Sequence, residues 1–450
     1  MSQVNKESLY FYNPWWETDR VSPALLRDYQ RPLINTLYSY LSLDRIIVLK
    51  GPRRTGKTTL LYQIVDRLIR EGTPGTDVLF LSFDDITLRT GLDDILKAYQ
   101  EITRRVIKEG RPVYIFMDEV QFLENWQFFV KKYFDRKYPI KFLVSGSAAS
   151  LIKKGSESLA GRTVEETAHP FSMYEYLCYR LRDARLKTAL DGMRERFASF
   201  DLPDTTDLIP ALTEIRITFQ EYIERGGFPN LFGIEEKLLW KRIAREDIVE
   251  KVIYRDIVEL YDIKKPEVLE RLFLYLADIT ANVLSVANIA NSLGLSREYT
   301  EKYLRYLEQA LLVKRISKYA RSVEKSVRSA EKVHLLDPGL INAFASVELG
   351  QLVESAAACH LLRRESGRLF YARETFEVDL VFEAEGKTFP IEVKYTDSIS
   401  RRDLRGLYGF VGKYGSDTAV VVTRDLMKRE SDHGTTTLYV PAWLFLLLCC

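Results

Sequence analysis

The stretch from residue 51 to residue 58 carries the clearest chemistry in this sequence. It reads GPRRTGKT and fits the spacing G-x-x-x-x-G-K-[ST]. The glycines allow backbone N–H groups to turn inward around a phosphate, and the helix that follows adds its positive dipole end. Lys57 can then reach the β- and γ-phosphates of ATP, while the Thr58 hydroxyl can ligate Mg²⁺. The predicted cradle comprises Gly51, Pro52, Arg53, Arg54, Thr55, Gly56, Lys57, Thr58 and Thr59.

Two adjacent acids, Asp118 and Glu119, follow the apolar run VYIFM. A buried strand that ends in two carboxylates indicates a cation nearby, because an unpaired buried charge is costly. We predict that Asp118 holds Mg²⁺, directly or through water, and that Glu119 polarises the attacking water. The alternative is a strand end that water solvates. The acid pair favours a hydrolysing enzyme over a kinase-like one.

Further polar residues could complete this site. Ser145 and Ser147 follow another apolar run, where either side chain could hydrogen-bond the γ-phosphate or the attacking water. A plain strand-to-helix turn is the alternative. Arg162 could stabilise transition-state charge, in cis or from a neighbouring subunit of a homo-oligomer. A structural ion pair is the alternative, and Arg53 and Arg54 compete for the same role.

The elements that must position these residues alternate between short apolar runs and amphipathic stretches. The runs are β-rich and too short for helix cores, and such alternation is typical of a parallel, doubly wound α/β sheet. The predicted strands are 45–50, 77–83, 112–117 and 140–144, and the predicted helices are 58–69, 92–108 and 126–135.

The bulk composition indicates an ordinary multidomain globular protein. The chain has 450 residues, 46% of them hydrophobic, and a net charge of +2, so any nucleic-acid contact needs a local basic patch. Four scattered or terminal cysteines favour neither a zinc site nor a disulfide framework, and we expect a cytoplasmic protein. The apolar run 443–450 is too short to span a membrane and predicts a buried terminal element. Residues 1–24 predict an aromatic arm packed on the next domain.

The ordered set of motifs resembles a known family. GPRRTGKTTLL, FMDEVQFLENW, the SGS turn, LAGR-to-PFSMYEYL and ERGGFPN together are similar to the prokaryotic, mainly archaeal, AAA+-like ATPases with a C-terminal domain of long-unknown function. The NPWW near the start is similar to archaeal members. This resemblance implies an AAA+-type core, a helical lid, a winged helix and a restriction-endonuclease-like domain, in that order.

The middle of the chain predicts two helices joined by a tight turn, at 286–295 and 296–311. Gly294 suits the turn and Ser296 opens the second helix. The segments 312–318 and 332–336 would be wing strands. Between them, basic residues recur at helical spacing and would form a stripe that contacts DNA phosphates. A solvated loop or a protein-contact module is the alternative. The stripe comprises Lys318, Arg321, Lys325, Arg328 and Lys332.

The last part of the chain carries a second set of charged residues. Glu354 lies on a predicted helix at 352–362, Asp379 on a predicted strand at 376–382, and Glu392 and Lys394 on the next strand, 389–395. Residues two apart on a strand share one face. We predict that the three carboxylates bind one or two Mg²⁺ or Mn²⁺ ions and that Lys394 orients or deprotonates the attacking water. The order Glu…Asp…Glu-x-Lys resembles the PD-(D/E)xK nucleases, including Holliday junction resolvases; an inactive binding module is the alternative.

The sequence therefore predicts an α/β protein in five parts. They are an N-terminal arm (1–25), a P-loop ATPase core (26–170), a helical lid (171–255), a winged helix (256–340) and a nuclease-like domain (341–450). We expect a Mg²⁺-dependent ATPase that acts on DNA, with branched DNA among the candidate forms. Two rivals are an ATPase whose C-terminal domain only binds DNA or RNA, and a signalling or defence switch that acts through protein contacts.

Overall fold

The structure is a computed structural model that describes residues 5–108, 110–149, 151, 159–322, 324, 326, 329–396, 398–432 and 434–449. The chain divides into two compact units. The first comprises Met1–His169 and Tyr254–Asp262, and the second comprises Pro170–Ile253 and Ile263–Cys450. The predicted end of the ATPase core at residue 170 falls at this division. The finer division into lid, winged helix and nuclease-like domain stays a prediction.

In the described part of the first unit, five strands form a parallel sheet in the order β2-β3-β4-β1-β5. Parallel strands end at the same edge, so the residues that follow β1, β3 and β4 lie together. The strands are β1 (Ile46–Gly51), β2 (Val78–Ser82), β3 (Val113–Asp118), β4 (Ile140–Ser147) and β5 (Thr163–Thr167). The helices are α1 (Lys6–Tyr12), α2 (Trp15–Thr18), α3 (Leu33–Tyr40), α4 (Lys57–Arg70), α5 (Leu92–Thr103) and α6 (Trp126–Asp135).

The aromatic arm covers the free edge of this sheet. Strand β2 pairs only with β3 among the described strands, so its other side offers unpaired backbone groups. Asn13 is fully buried there, accepting from Phe80 N–H at 2.6 Å and donating to Phe80 C=O at 2.9 Å. The indole N–H groups of Trp15 and Trp16 both donate to the Val78 carbonyl. The predicted packing of the arm is confirmed, and its role is to close a sheet edge.

The second unit begins with helices and then forms a mixed sheet. Its helices up to residue 309 are α7 (Met173–Leu181), α8 (Ala184–Phe197), α9 (Leu212–Arg225), α10 (Lys237–Ile243), α12 (Pro266–Asp278), α13 (Val286–Leu293) and α14 (Arg297–Gln309). Two π-helical segments, Ala244–Glu250 and Val252–Ile257, lead into α11 (Val258–Tyr261), which belongs to the first unit. The remaining helices are α15 (Pro338–Phe344), α16 (Leu349–Leu361), α17 (Arg405–Tyr414) and α18 (Ala442–Leu448).

Within its described residues, the second unit has nine strands in one continuous order, β13-β14-β12-β11-β10-β9-β7-β8-β6. The hairpin β7–β8 is antiparallel, and β7 continues into the rest of the sheet through parallel pairing with β9. The sheet therefore runs through both segments that the sequence assigned to a winged helix and a nuclease-like domain. The strands are β6 (Asn282–Val283), β7 (Val313–Lys318), β8 (Lys332–Leu335), β9 (Gly367–Arg373), β10 (Glu377–Ala384), β11 (Lys387–Lys394), β12 (Thr418–Thr423), β13 (Lys428–Asp432) and β14 (Thr435–Pro441).

The terminal apolar run forms α18, whose residues are all buried, as the sequence predicted. Ring contact between Phe197 and Phe445 packs this helix against α8. None of the helices in the described part of the chain combines the length and apolar composition that a membrane span requires.

Loss of the Asn13 side chain should destabilise the first unit. Replacing Asn13 by alanine leaves two buried backbone groups of β2 without partners, which costs about 2 kcal/mol. The matched control is Asn35→Ala, because Asn35 is exposed on α3 and should change stability by less than about 0.5 kcal/mol. Denaturant unfolding of both variants tests the arm; equal stabilities would contradict its edge-closing role.

Candidate functional site

The predicted phosphate cradle forms the turn between β1 and α4. Arg54 and Gly56 adopt positive φ values of 66° and 87°, and these left-handed backbone conformations curve the loop. The Thr55 hydroxyl donates to the Pro52 carbonyl at 3.0 Å and Arg31 donates to the Thr55 carbonyl at 3.0 Å. Both side chains are buried, so two buried hydrogen bonds stabilise the conformation of the loop. Sequence reasoning missed Arg31, because nothing in its local pattern links it to the loop.

Lys57 is held inside this loop. Its side chain is 5% exposed, and its ammonium donates to the carbonyls of Gly51 at 3.1 Å and Pro52 at 2.9 Å. Neutral carbonyls satisfy the ammonium without neutralising it, so its charge remains available to an incoming phosphate. The Gly51 position tolerates no side chain, since a Cβ atom would lie 2.5 Å from the Ala168 carbonyl oxygen.

Asp118 is the buried carboxylate of the site. It ends β3 and is 2% exposed. The Thr58 hydroxyl donates to one of its oxygens at 2.6 Å, and the Ser145 hydroxyl donates to the other. Burial and then the neighbouring Glu119 raise the pKa of Asp118, while both hydroxyls and Lys57 oppose the shift. Hydroxyl oxygens and a carboxylate form a donor set that suits Mg²⁺.

Strand β4 is longer than predicted and brings the two serines to the cradle. Residues 145–147 continue the strand, and Ser147 pairs with Gly51 in the sheet. Both serines are buried. Ser145 therefore orients Asp118, and Ser147 lies beside the start of the loop. A plain strand-to-helix turn at these residues is excluded by their strand pairing.

Glu119 follows Asp118 in a left-handed backbone conformation, with φ 53°. This conformation turns the chain sharply at the end of β3. Its carboxylate accepts from the Gln121 amide at 2.5 Å. Gln121 is a positioning residue that the sequence did not reveal, because its role depends on this turn.

A third residue missed by the sequence, Asp256, contacts the loop through Arg53. The Arg53 guanidinium donates to both carboxylate oxygens of Asp256, at 2.6 to 3.0 Å. The two side chains are 15% and 5% exposed. Asp256 lies in the π-helical segment that returns to the first unit, 203 residues away. Arg53 is therefore engaged in a structural clamp on the loop.

Arg162 is not part of the site of its own chain. Its backbone carbonyl accepts from Ile46 N–H, at the start of β1, whereas the cradle follows the end of β1. The strand separates the two by about 17 Å. The side chain instead pairs with Asp135 at 2.7 Å. The predicted role in cis is wrong, and the structural ion pair is what the structure shows.

The predicted charged residues of the second unit also come together. Strands β10 and β11 are antiparallel with Leu380 opposite Ile391, which places Asp379 opposite Glu392. Asp379 accepts from Val393 N–H at 2.9 Å. Lys394 and Glu392 share one face as predicted, with their charged atoms 2.6 Å apart. Burial and then Asp379 raise the pKa of both Glu354 and Glu392.

An unexpected lysine lies among these acids. Lys332 is 3% exposed on β8, and its ammonium lies 2.5 Å from Glu354 Oε1 and 3.9 Å from Asp379 Oδ1. In the described part of the chain, no group of three or more His, Cys, Asp or Glu side chains is arranged to hold a metal ion. The set Glu354, Asp379 and Glu392 thus does not fit the predicted divalent cation, because the Lys332 ammonium already lies within 4 Å of two of its members.

The predicted basic stripe is also corrected. Lys318 ends a strand rather than lying on a helix, and Lys332 is buried. Arg321 donates to the Lys413 carbonyl at 3.3 Å. Lys325 and Arg328 lie outside the described residues. The two predicted helices, in contrast, are present as α13 and α14, with Gly294 and Ser296 as their caps.

Part of the chain, most of it in the first unit, matches a known protein family. Residues 43–177 match the AAA domain family, and this segment contains β1, α4, Asp118, Glu119 and both serines. Residues 43–177 therefore form an AAA-like domain. This match supports ATPase activity. Residues 216–350 and 349–443 match two families that are each described as a domain of unknown function.

Relatives extend along most of the chain. An uncharacterised protein of Methanocaldococcus jannaschii is 28% identical over 364 residues, covering 78% of this chain and 75% of the relative. An uncharacterised protein of Haemophilus influenzae is 23% identical over 424 residues, covering 91% and 97%. Among solved structures, the Aeropyrum pernix ORC1 protein in complex with DNA shows 12% identity over 74% of this chain and 94% of that chain, with a TM-score of 0.29. That structural similarity is too low to bear on function.

Breaking the Arg53–Asp256 clamp should destabilise the first unit. Asp256→Ala leaves a mostly buried guanidinium without its carboxylate, which costs about 3 kcal/mol. The double variant Arg53→Met with Asp256→Ala removes both charges and should recover part of that loss. Thermal unfolding of the two variants measures the difference; no recovery in the double variant would contradict a direct pairing.

Proposed function

We propose that this protein binds ATP at residues 51–59 and hydrolyses it in a Mg²⁺-dependent reaction. The observation that carries the proposal is the bond from the Thr58 hydroxyl to Asp118 at 2.6 Å. It joins the end of the phosphate cradle to the acid pair across the sheet edge. The AAA-like match of residues 43–177 supports the same activity.

Each residue has a separate role in this proposal. The loop amides and Lys57 bind the phosphates, and the Lys57 charge neutralises the developing negative charge. Thr58 and Asp118 would hold Mg²⁺, which supplies further charge neutralisation on the phosphates. Ser145 keeps Asp118 oriented through its hydroxyl. Glu119 accepts a proton from the attacking water or orients it, and the Gln121 amide fixes the position of that carboxylate.

Lys57→Ala should abolish ATP binding or lower turnover by on the order of 100-fold or more, because the phosphates lose their buried cation. The matched control is Lys50→Ala. Lys50 lies next to the last residue of β1, just before the loop, but its ammonium pairs with Glu165 at 2.8 Å. Phosphate release and binding of a fluorescent ATP analogue measure the two effects. Normal turnover in Lys57→Ala would contradict the assignment.

Glu119→Gln should retain ATP binding and slow hydrolysis by about 100-fold to 1,000-fold, since an amide cannot accept the proton. Glu124→Gln, an exposed acid on the same loop, is the control that should leave both steps unchanged. Single-turnover hydrolysis with bound ATP separates binding from chemistry. Loss of binding in Glu119→Gln would move this residue from catalysis to nucleotide binding.

A second proposal concerns nucleic acid, and the surface of α14 supports it. Arg297, Lys302 and Arg305 are exposed on this helix, beside Tyr299, which is 55% exposed. The partly buried Arg315 engages two of the acids of α14, Glu301 at 2.9 Å and Glu308 at 2.8 Å. The exposed face is therefore predominantly basic, with Glu298 as its one exposed acid. Such a face can bind DNA phosphates without reading bases.

Replacing Lys302 and Arg305 by alanine should weaken DNA binding and reduce the salt dependence of the affinity by about one phosphate contact per residue. The control double variant is Lys97→Ala with Lys108→Ala, which removes the same charge from exposed positions of the first unit. Fluorescence anisotropy with duplex, forked and four-way DNA at several salt concentrations measures both quantities. An unchanged salt slope would reject α14 as the contact surface.

A further inference from the structure

The acidic cluster of the second unit consists of Glu354, Asp379 and Glu392, and it contains two lysines. Lys332 reaches it from β8, and its ammonium lies 2.5 Å from Glu354 Oε1 and 3.3 Å from the Asp379 carbonyl oxygen. Lys394 pairs with Glu392 at 2.6 Å. Three carboxylates thus face two ammonium groups that belong to the chain.

Burial makes these pairings necessary. Glu354 is 8% exposed and Glu392 is 6% exposed, and buried carboxylates are costly unless they are paired. Burial lowers the pKa of Lys332, but Glu354 and Asp379 raise it above its ordinary value. The Lys332 ammonium therefore stays paired with Glu354 and lies near Asp379.

The position of Lys332 competes with a divalent ion. A metal shared by Glu354 and Asp379 would need to lie about 2 to 2.5 Å from oxygens of both residues. The Lys332 ammonium already contacts Glu354 and the Asp379 main chain. One Asp379 oxygen is further engaged by Val393 N–H, and Glu392 accepts from Asp379 N–H at 3.4 Å. The position that a shared metal would occupy is thus already filled by the Lys332 ammonium, which also supplies a positive charge there.

We propose that Lys332 is the resident cation of this cluster, meaning that its ammonium takes the place of a divalent metal. Its contacts join β8 to α16, through Glu354, and to β10, through Asp379. The acids therefore stabilise the packing of these three elements. The cluster needs neither Mg²⁺ nor Mn²⁺ to hold its shape, and metal-dependent DNA cleavage is not its activity.

Binding of Mn²⁺ to the full chain tests this proposal without nucleotide. The background variant Asp118→Asn removes the metal ligand of the first unit. In that background we expect no saturable Mn²⁺ binding by electron paramagnetic resonance and no change of Tm with Mn²⁺. Adding Lys332→Gln vacates the cluster, so one Mn²⁺ should bind and raise Tm by about 3 °C. Lys394→Gln is the matched control, because Lys394 touches only Glu392 among the three acids.

Two results would overturn the proposal. One is a single tight Mn²⁺ site in the Asp118→Asn protein that disappears when Asp379→Asn is added, because Lys332 would then yield to the metal. The other is a folded Lys332→Gln variant that gains no Mn²⁺ site. If Lys332→Gln fails to fold, Mn²⁺ binding by the Asp118→Asn protein with and without Asp379→Asn still tests the proposal. None of these measurements depends on ATP turnover, so their failure is distinct from failure of the proposed ATPase.

Discussion

The buried carboxylate of Asp118 is the constraint on which the nucleotide site depends. Desolvation disfavours its charge, and two hydroxyls and Lys57 oppose that effect. Thr58 brings the phosphate loop to one oxygen, while Ser145 brings β4 to the other. A single acid thus ties β1, β3 and β4 together at their common edge. Hydroxyls stabilise the acid without neutralising it, which is why we propose that Asp118 holds Mg²⁺.

The second unit also buries a carboxylate, but a different kind of group compensates its desolvation. There a buried carboxylate, Glu354, is paired with an ammonium from the chain rather than with hydroxyls. A charged partner opposes the desolvation of the acid directly and reduces the electrostatic need for a metal. The two clusters look alike as lists of residue types but differ in what neutralises them. That difference underlies the two proposals, nucleotide chemistry for the first cluster and a structural role for the second.

Local sequence patterns predicted the elements that depend on neighbouring residues, namely the phosphate loop and the buried strands. The loop is recognisable from its spacing because its glycines act through local backbone geometry and Lys57 and Thr58 follow within the same short segment, and the buried strands are continuous apolar runs. Strand β5 was missed because its residues, TVEET, are polar and partly exposed at a sheet edge. Strand β9 was missed because it alternates weakly, and β13 because it is almost fully exposed.

The pairings that the sequence did not reveal join residues far apart along the chain. Asp256 reaches Arg53 across 203 residues, and Lys332 reaches Asp379 across 47 residues. Neither pairing leaves a periodic signal. Lys332 was assigned to a surface stripe because its spacing from other basic residues matches a helix, although it lies on a strand whose residues are all buried. Arg162 was assigned to the site by its closeness in sequence, but β1 separates it from the loop.

A crystal structure of the full chain with Mg²⁺ and a non-hydrolysable ATP analogue tests the central claim most directly. The account predicts the triphosphate within the loop of residues 51–58, the Thr58 hydroxyl on the metal, and Asp118 and Glu119 facing it. An empty loop with nucleotide bound elsewhere, or acids turned away from the metal, would contradict it.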